Sequence, residues 1–133
     1  MAGEATLECN LTITGLGSTV KKPNSKALTV PVKHIEGSII LATAGTTAYQ
    51  LFTATTFLAL TKIFCVWIKS ISGTIYIKPN TAGTTTFNST TAVLIINEGE
   101  AYAIPVNPDV NAGMTIDADA TDAEIEFSIL GKA

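Results

Sequence analysis

The sequence has little of what most active sites and most solvent-facing surfaces use. Charged residues make up 14% of its 133 residues, where about a quarter is usual, and there is a single histidine. Because His34 is the only histidine, a His-rich metal site is excluded. A Ser-His-Asp triad that used His34 would lack the G-x-S-x-G turn that presents the nucleophile. The sequence also has no glycine-rich phosphate loop. We therefore expect no enzyme, no catalytic residue and no cofactor.

Cysteine is scarce as well. Two cysteines do not make a disulfide framework. Cys9 and Cys65 each fall within an apolar alternation, so we expect two reduced thiols that point into the core. A Cys9–Cys65 bridge stays open if the two strands are neighbours.

Charge and hydropathy argue against a nucleic-acid-binding, a secreted or a membrane-spanning protein. A net charge of −3 argues against a nucleic-acid surface. The opening residues MAGEATLECNLTI have no basic region followed by a continuous apolar run, which predicts folding in a host cytosol. Between Glu36 and Lys62 no residue is charged, and that stretch is long enough to cross a bilayer. The break at residues 44–47 divides it into two short apolar runs, which favours two strands over a membrane helix.

The spacing of apolar residues is typical of strands. No long window places them at i, i+3, i+4 and i+7 without Gly, Pro or a β-branched run between them. Turn residues separate about eight or nine short alternating segments. We therefore predict an all-β fold, an antiparallel β-sandwich of jelly-roll type, in a single domain over residues 1–133.

Several strands can be assigned individually. Thr6 to Thr14 predicts a strand that points Leu7, Cys9, Leu11 and Ile13 inward. Ile63 to Ile71 and Thr74 to Lys78 predict a hairpin around Ser72-Gly73. In the closing strand, Ile125, Phe127 and Ile129 alternate with polar residues. Further extended segments are expected at Leu28 to Ile35, Ser38 to Thr43, Tyr49 to Leu60 and Ala92 to Asn97.

The segment IFCVWI, residues 63–68, is apolar on both faces of its predicted strand. We expect Ile63, Cys65 and Trp67 to face the core, which makes Trp67 a core or interface residue rather than a platform for a sugar. The opposite face then needs either a second layer of the same chain or another subunit. Its residues are therefore the interface candidates: Phe64, Val66 and Ile68.

An acidic cluster, DADATDAEIE, lies near the C-terminus. Asp117, Asp119 and Asp122 suggest calcium, but the sharp-turn glycine and distal glutamate of an EF-hand are missing. We interpret the cluster as the solvated end of a hairpin and expect no metal. Tyr76, Tyr102 and Phe87 lie near predicted turns, where they can be exposed.

The last third of the chain resembles the ending of small virion proteins of tailed bacteriophages. In those proteins an apolar strand leads to a "GE-aromatic-x-I-P" turn, a strand ending in Asp-Ala, and a closing "E-I/V-E-aromatic-S-I/V-L-G" strand. The corresponding residues here are Gly99 to Pro105, Ile116 to Ala118 and Glu124 to Gly131. The resemblance implies a structural role in the virion, such as capsid decoration or a minor head or tail component.

Two functions are therefore expected. The first is a head decoration or auxiliary capsid protein that forms a homo-oligomer and assembles with other virion proteins such as the major capsid protein. The second is a carbohydrate- or receptor-binding module of a phage tail or fibre, with Tyr102, Phe87 and Asp117 as contact residues. Neither involves nucleic acid or a membrane.

Overall fold

A computed structural model of the chain describes residues 4–15, 17, 19–27, 33–53, 62–107 and 113–132. These residues contain twelve β-strands and no helix. The strands are β1 (Thr6–Glu8), β2 (Leu11–Ile13), β3 (Val20–Lys22), β4 (Ser25–Ala27), β5 (Lys33–Leu41), β6 (Tyr49–Thr53), β7 (Lys62–Ser72), β8 (Ile75–Pro79), β9 (Leu94–Ile96), β10 (Ala101–Pro105), β11 (Gly113–Ala118) and β12 (Ala123–Lys132).

Eight strands, β5 to β12, form two four-stranded antiparallel sheets that pack together as a sandwich. The first sheet has the order β10-β7-β12-β5, and the second has the order β6-β11-β8-β9. Strands pair from the outside inwards along the chain: β5 with β12, β6 with β11, β7 with β10, and β8 with β9. Such nested pairing, rolled so that β12 also bonds β7 and β11 also bonds β8, is a jelly roll. The predicted fold class is confirmed.

Most consecutive strands of the sandwich lie in different sheets. The predicted turn at Ser72-Gly73 is present, and Gly73 supplies its positive φ of 79°. The predicted hairpin is wrong, however, because β7 belongs to the first sheet and β8 to the second. The turn carries the chain across the sandwich instead of folding one strand onto the next.

The core lies between the sheets. Its fully buried members come from both layers: Val66, Ile68, Ile125 and Ile129 from the first, and Ile75, Ile77, Ile96, Met114 and Ile116 from the second. The predicted alternation of the closing strand is confirmed, since Ile125, Phe127 and Ile129 are buried while Glu126 is exposed.

The assignment of faces along β7 requires a correction. Ile63, Val66 and Ile68 face the core, whereas Trp67 is only partly buried and lies outside the core cluster. A bulge is the reason: Leu130 pairs with Cys65 but Gly131 pairs with Ile63, so Phe64 is an extra residue and the alternation shifts there. Val66 and Ile68 therefore pack against the second sheet of the same chain. Of the two alternatives for their face, a second layer of the same chain or another subunit, the first is the one observed for these two residues.

The first four strands form a hairpin whose strands bond none of the sandwich strands, and we call it the arm (described residues from 6 to 27). Strand β1 pairs only with β4, and β2 only with β3, in one continuous register. Between the two ladders the Cys9 amide donates to the Asn24 carbonyl at 2.9 Å. The prediction that Leu7, Cys9, Leu11 and Ile13 share a face agrees with this register, but the face is not in the core: Cys9 and Leu11 are exposed.

The uncharged stretch between Glu36 and Lys62 is strand, turn and strand over residues 37–53, as predicted; residues 54–60 of the predicted Tyr49 to Leu60 strand lie outside the described part of the chain. Residues 28–32 of the predicted Leu28 to Ile35 segment lie outside it as well. No helix long and apolar enough to cross a membrane occurs in the described ranges.

The position of Val66 in the core leads to a direct test. Val66→Lys places an unpaired charge at a site with 0% exposure, so we expect no folded protein. Ile71→Lys is the matched control, because Ile71 lies on the same strand but is exposed. Circular dichroism and thermal melting of both variants provide the measurement. A folded Val66→Lys protein would contradict the assigned core.

Candidate functional site

The outer faces of the two sheets differ. The second sheet is covered by the loop of residues 80–93, which joins β8 to β9 and crosses β11. The Thr115 hydroxyl donates to the carbonyls of Thr81 and Gly83 at 3.0 and 3.2 Å, and the Ala48 amide donates to the Thr84 carbonyl at 3.0 Å. All six residues of β11 are consequently buried.

Asp117 is the central polar group under this loop. Its carboxylate accepts hydrogen bonds from the amides of Gly45 (2.8 Å), Ala118 (2.9 Å) and Phe87 (3.1 Å). One side chain with 1% exposure thus connects the turn after β5, the covering loop and β11. Because a buried carboxylate must be hydrogen-bonded or paired, these three amides account for its presence.

This geometry corrects the interpretation of the acidic cluster as a solvated hairpin end. Asp119, Asp122 and Glu126 are exposed there but Asp117 is buried, and the Asp119 carboxylate accepts a hydrogen bond from the Thr74 amide at 2.9 Å. The Asp117 oxygens face N–H donors instead of a cation. Among the described residues, no group of three His, Cys, Asp or Glu side chains is placed to hold a metal.

Phe87 is buried in the same covering loop, with the Lys78 ammonium 4.8 Å from its ring centre. Two of the three residues expected to contact a receptor, Phe87 and Asp117, are therefore interior. Tyr102 is the third, and its side chain is 50% exposed.

The outer face of the first sheet carries Trp67 at its centre. In the register, Trp67 lies opposite Ala103 on one side and Ser128 on the other, and Ser128 lies opposite Glu36. The small neighbours leave the indole beside a shallow groove of about 380 Å³. Its lining residues are Glu36, Gly37, Ser38, Trp67, Glu126, Phe127 and Ser128. Aromatic, hydroxyl and carboxylate groups thus share one open face.

The base of the arm lies over the neighbouring part of that face. Leu7, Lys26 and Ala27 line a depression together with Phe64 and Cys65. The interface candidate Phe64 therefore lies next to the arm of its own chain. Cys65 is buried here, and burial raises the pKa of its thiol above the ordinary value, which keeps it protonated at neutral pH. Cys9 and Cys65 are both free, with Cys9 exposed on the arm.

Beyond its base the arm is exposed. Cross-strand pairs place Leu11 beside Lys22 and Ile13 beside Val20 on one face. Leu11 is 54% exposed and Val20 37% exposed. Large apolar side chains are thus presented to solvent by a hairpin that pairs with no other described strand.

A second apolar surface lies where the two sheets end side by side, and we call it the β9–β10 groove. Strand β9 is the edge of the second sheet and β10 is the edge of the first. Between them is a groove of about 370 Å³ lined by Leu94, Ile95, Ile96, Tyr102, Ala103, Ile104 and Pro105. The turn that joins these strands carries Glu98 and Glu100, so one end of the groove is acidic.

Sequence reasoning missed both the arm and the groove. The only signal for the arm was its composition: residues 9–27 contain three lysines and no acid, which is unusual for a strand of the core. The groove depends on which strands become edges, and that follows from long-range pairing.

Comparison with known protein families and with curated proteins finds no match to this chain.

Asp117 allows a quantitative prediction. Asp117→Asn keeps the shape but turns one acceptor into a donor that faces amide N–H groups, so we expect a loss of about 1–3 kcal/mol in unfolding free energy. Asp122→Asn is the control: Asp122 is exposed with a φ of 63°, which Asn tolerates, so a change within about 0.5 kcal/mol is expected. Denaturant titration measures both. Equal stabilities of the two variants would show that the Asp117 bonds are not needed.

Proposed function

We propose that the chain is a structural protein of a tailed bacteriophage particle, a head decoration or auxiliary capsid protein that assembles on the particle as a homo-oligomer. The observation that carries the proposal is the exposed arm on a sandwich whose β9 and β10 edges are apolar. A monomer in solution gains nothing from such surfaces, whereas a protein built into a larger assembly covers them.

The resemblance of the C-terminal third supports the phage assignment. Its segment, residues 93–131, contains β9 to β12, which supply two strands to each sheet. The Asp-Ala of the resembling pattern is Asp117-Ala118, whose carboxylate holds the covering loop. The shared pattern therefore reflects the framework of the sandwich and not only its surface.

The jelly-roll fold supports a capsid protein more weakly than the sequence resemblance does. Eight-stranded jelly rolls occur in viral capsid proteins and also in lectins. Since a fold by itself does not determine function, the stronger support for the first of these two comes from the surfaces. Permanent interfaces resemble a core cut in half, and the apolar edges and arm are of that kind.

Localisation tests the first function. We expect antibody raised against the purified protein to label the heads of particles of the phage that encodes it, at regular positions in electron micrographs. Peptide mass spectrometry of the same particles should find the chain in many copies, together with the major capsid protein. Its absence from particles, while it is abundant in the infected cells, would rule out a virion role. Label confined to the tail would replace the head assignment with a tail one.

The second candidate, a carbohydrate- or receptor-binding module of a tail or fibre, is favoured by one observation. Trp67 lies on the open face of the first sheet, beside carboxylate and hydroxyl groups that suit the hydroxyls of a sugar. Trp67 was expected in the core or at an interface, and the core part of that expectation is wrong because Trp67 is only partly buried and lies outside the core cluster.

The single tryptophan makes this candidate easy to test. A sugar that stacks on Trp67 should change its fluorescence in a saturable manner, and Glu126→Gln should weaken that response without loss of folding. Screening host-surface polysaccharides and their oligosaccharides by fluorescence titration is the measurement. If none produces saturable quenching, the open face is not a sugar platform and the first function stands alone.

A further inference from the structure

We propose that the arm of one copy docks in the β9–β10 groove of a second copy. The inference rests on the homo-oligomer in the proposed function, but not on its location in a phage particle. It assigns the two surfaces that meet and the side chains that make the contact.

The arm needs a partner on energetic grounds. An isolated two-stranded hairpin is marginally stable in water, because only one pair of strands holds it. Its register gathers Leu11, Ile13 and Val20 on one face near the free end. Leu11 and Val20 are exposed on that face and Ile13 is partly buried, so burial against another surface would add the hydrophobic stabilisation that the hairpin lacks.

The groove offers an apolar lining between two edge strands. Edge strands present unpaired backbone N–H and C=O groups, and soluble proteins usually guard them with lysine, proline or a covering segment. Between residues 94 and 105 there is no lysine and one proline, Pro105 at the far end of β10, and no described strand bonds the free side of either edge. Tyr102 and Ile95 stay exposed along the opening. An inserted apolar hairpin would cover these side chains.

Charge favours this pairing. The arm carries Lys21, Lys22 and Lys26 and one acidic residue, Glu8 in β1, while residues 94–107 carry Glu98 and Glu100 and no basic residue. Lys22 lies on the same face of the arm as Leu11, so docking of that face directs a positive charge towards the acidic end of the groove. Lys21 lies on the opposite face.

The occupant is a second copy because no residue of the chain's own arm lines the groove. The base of that arm lies against Phe64, Cys65, Ala103 and Pro105, of which Ala103 and Pro105 border the groove. The groove opens between the two sheets, and the arm strands pair with neither β9 nor β10 of the same chain. A chain that offers both an arm and a receiving groove can exchange arms symmetrically or form a closed ring.

The test compares two lysines on opposite faces of one strand. We expect the wild-type protein to be a dimer or a larger closed oligomer by multi-angle light scattering. Lys22→Glu should weaken association about tenfold or more, and Lys21→Glu should have little effect. Glu98→Lys should restore association when combined with Lys22→Glu. Circular dichroism of each variant verifies that the sandwich is folded.

Mixing variants locates the contact. Leu11→Ser damages the arm and Tyr102→Ser damages the groove, so each alone should dissociate. In a mixture, the intact arm of the Tyr102→Ser chain meets the intact groove of the Leu11→Ser chain, and mixed oligomers should form. Thr12→Ser on the opposite face of the arm is the control and should associate like the wild type.

Arm docking and the homo-oligomer can fail separately. A wild-type oligomer that is unaffected by Lys22→Glu, Leu11→Ser and Tyr102→Ser would overturn arm docking while leaving the homo-oligomer intact. A wild-type monomer at all soluble concentrations would overturn both. Labelling of particles is independent of either result.

Discussion

In the sandwich, β5 bonds β12, β6 bonds β11, β7 bonds β10 and β8 bonds β9, and this nesting decides which strands are left at the edges. The innermost pairs bring β9 and β10, which are consecutive in the chain, to the same side of the molecule. Each has one neighbour, so both leave backbone groups unpaired. The groove between them is therefore a consequence of the topology, and its apolar lining is the reason we propose it as a surface for association.

The two faces of the sandwich serve different purposes. The second sheet is closed by its own chain, because Asp117 and Thr115 bind the covering loop through hydrogen bonds that exclude water. The first sheet is left to the arm base and to solvent around Trp67. On the outer face of the second sheet, the polar side chains of Asp117 and Thr115 therefore stabilise the chain's own fold. The groove beside Trp67 lies on the outer face of the first sheet, and the β9–β10 groove lies along one edge.

The sequence was sufficient to predict the all-β class, the jelly-roll sandwich and the alternation of β12, because burial on one face leaves a period of two. It misassigned β7 because the bulge at Phe64 shifts the alternation, and a bulge leaves no mark in the apolar pattern. It misassigned the arm because a core strand would show the same alternation of apolar and polar residues. The apolar residues concerned are Leu7, Cys9, Leu11 and Ile13. Asp117 was taken for a solvated residue because two of its three amide donors, Gly45 and Phe87, come from segments distant in sequence. The features that were missed depend on contacts between residues distant in sequence, which neither composition nor local pattern reveals.

The central claim is that the arm and the β9–β10 groove cover each other between copies. Hydrogen exchange of the backbone amides, measured by mass spectrometry at high and low protein concentration, tests it most directly. A free two-stranded hairpin exchanges quickly, whereas a docked one is protected. The account predicts that peptides covering β2–β3 and peptides covering β9–β10 gain protection together as concentration rises, while the core strands β11 and β12 do not change. Fast exchange of the arm at every concentration, or protection elsewhere on the sandwich with the groove unaffected, would contradict it.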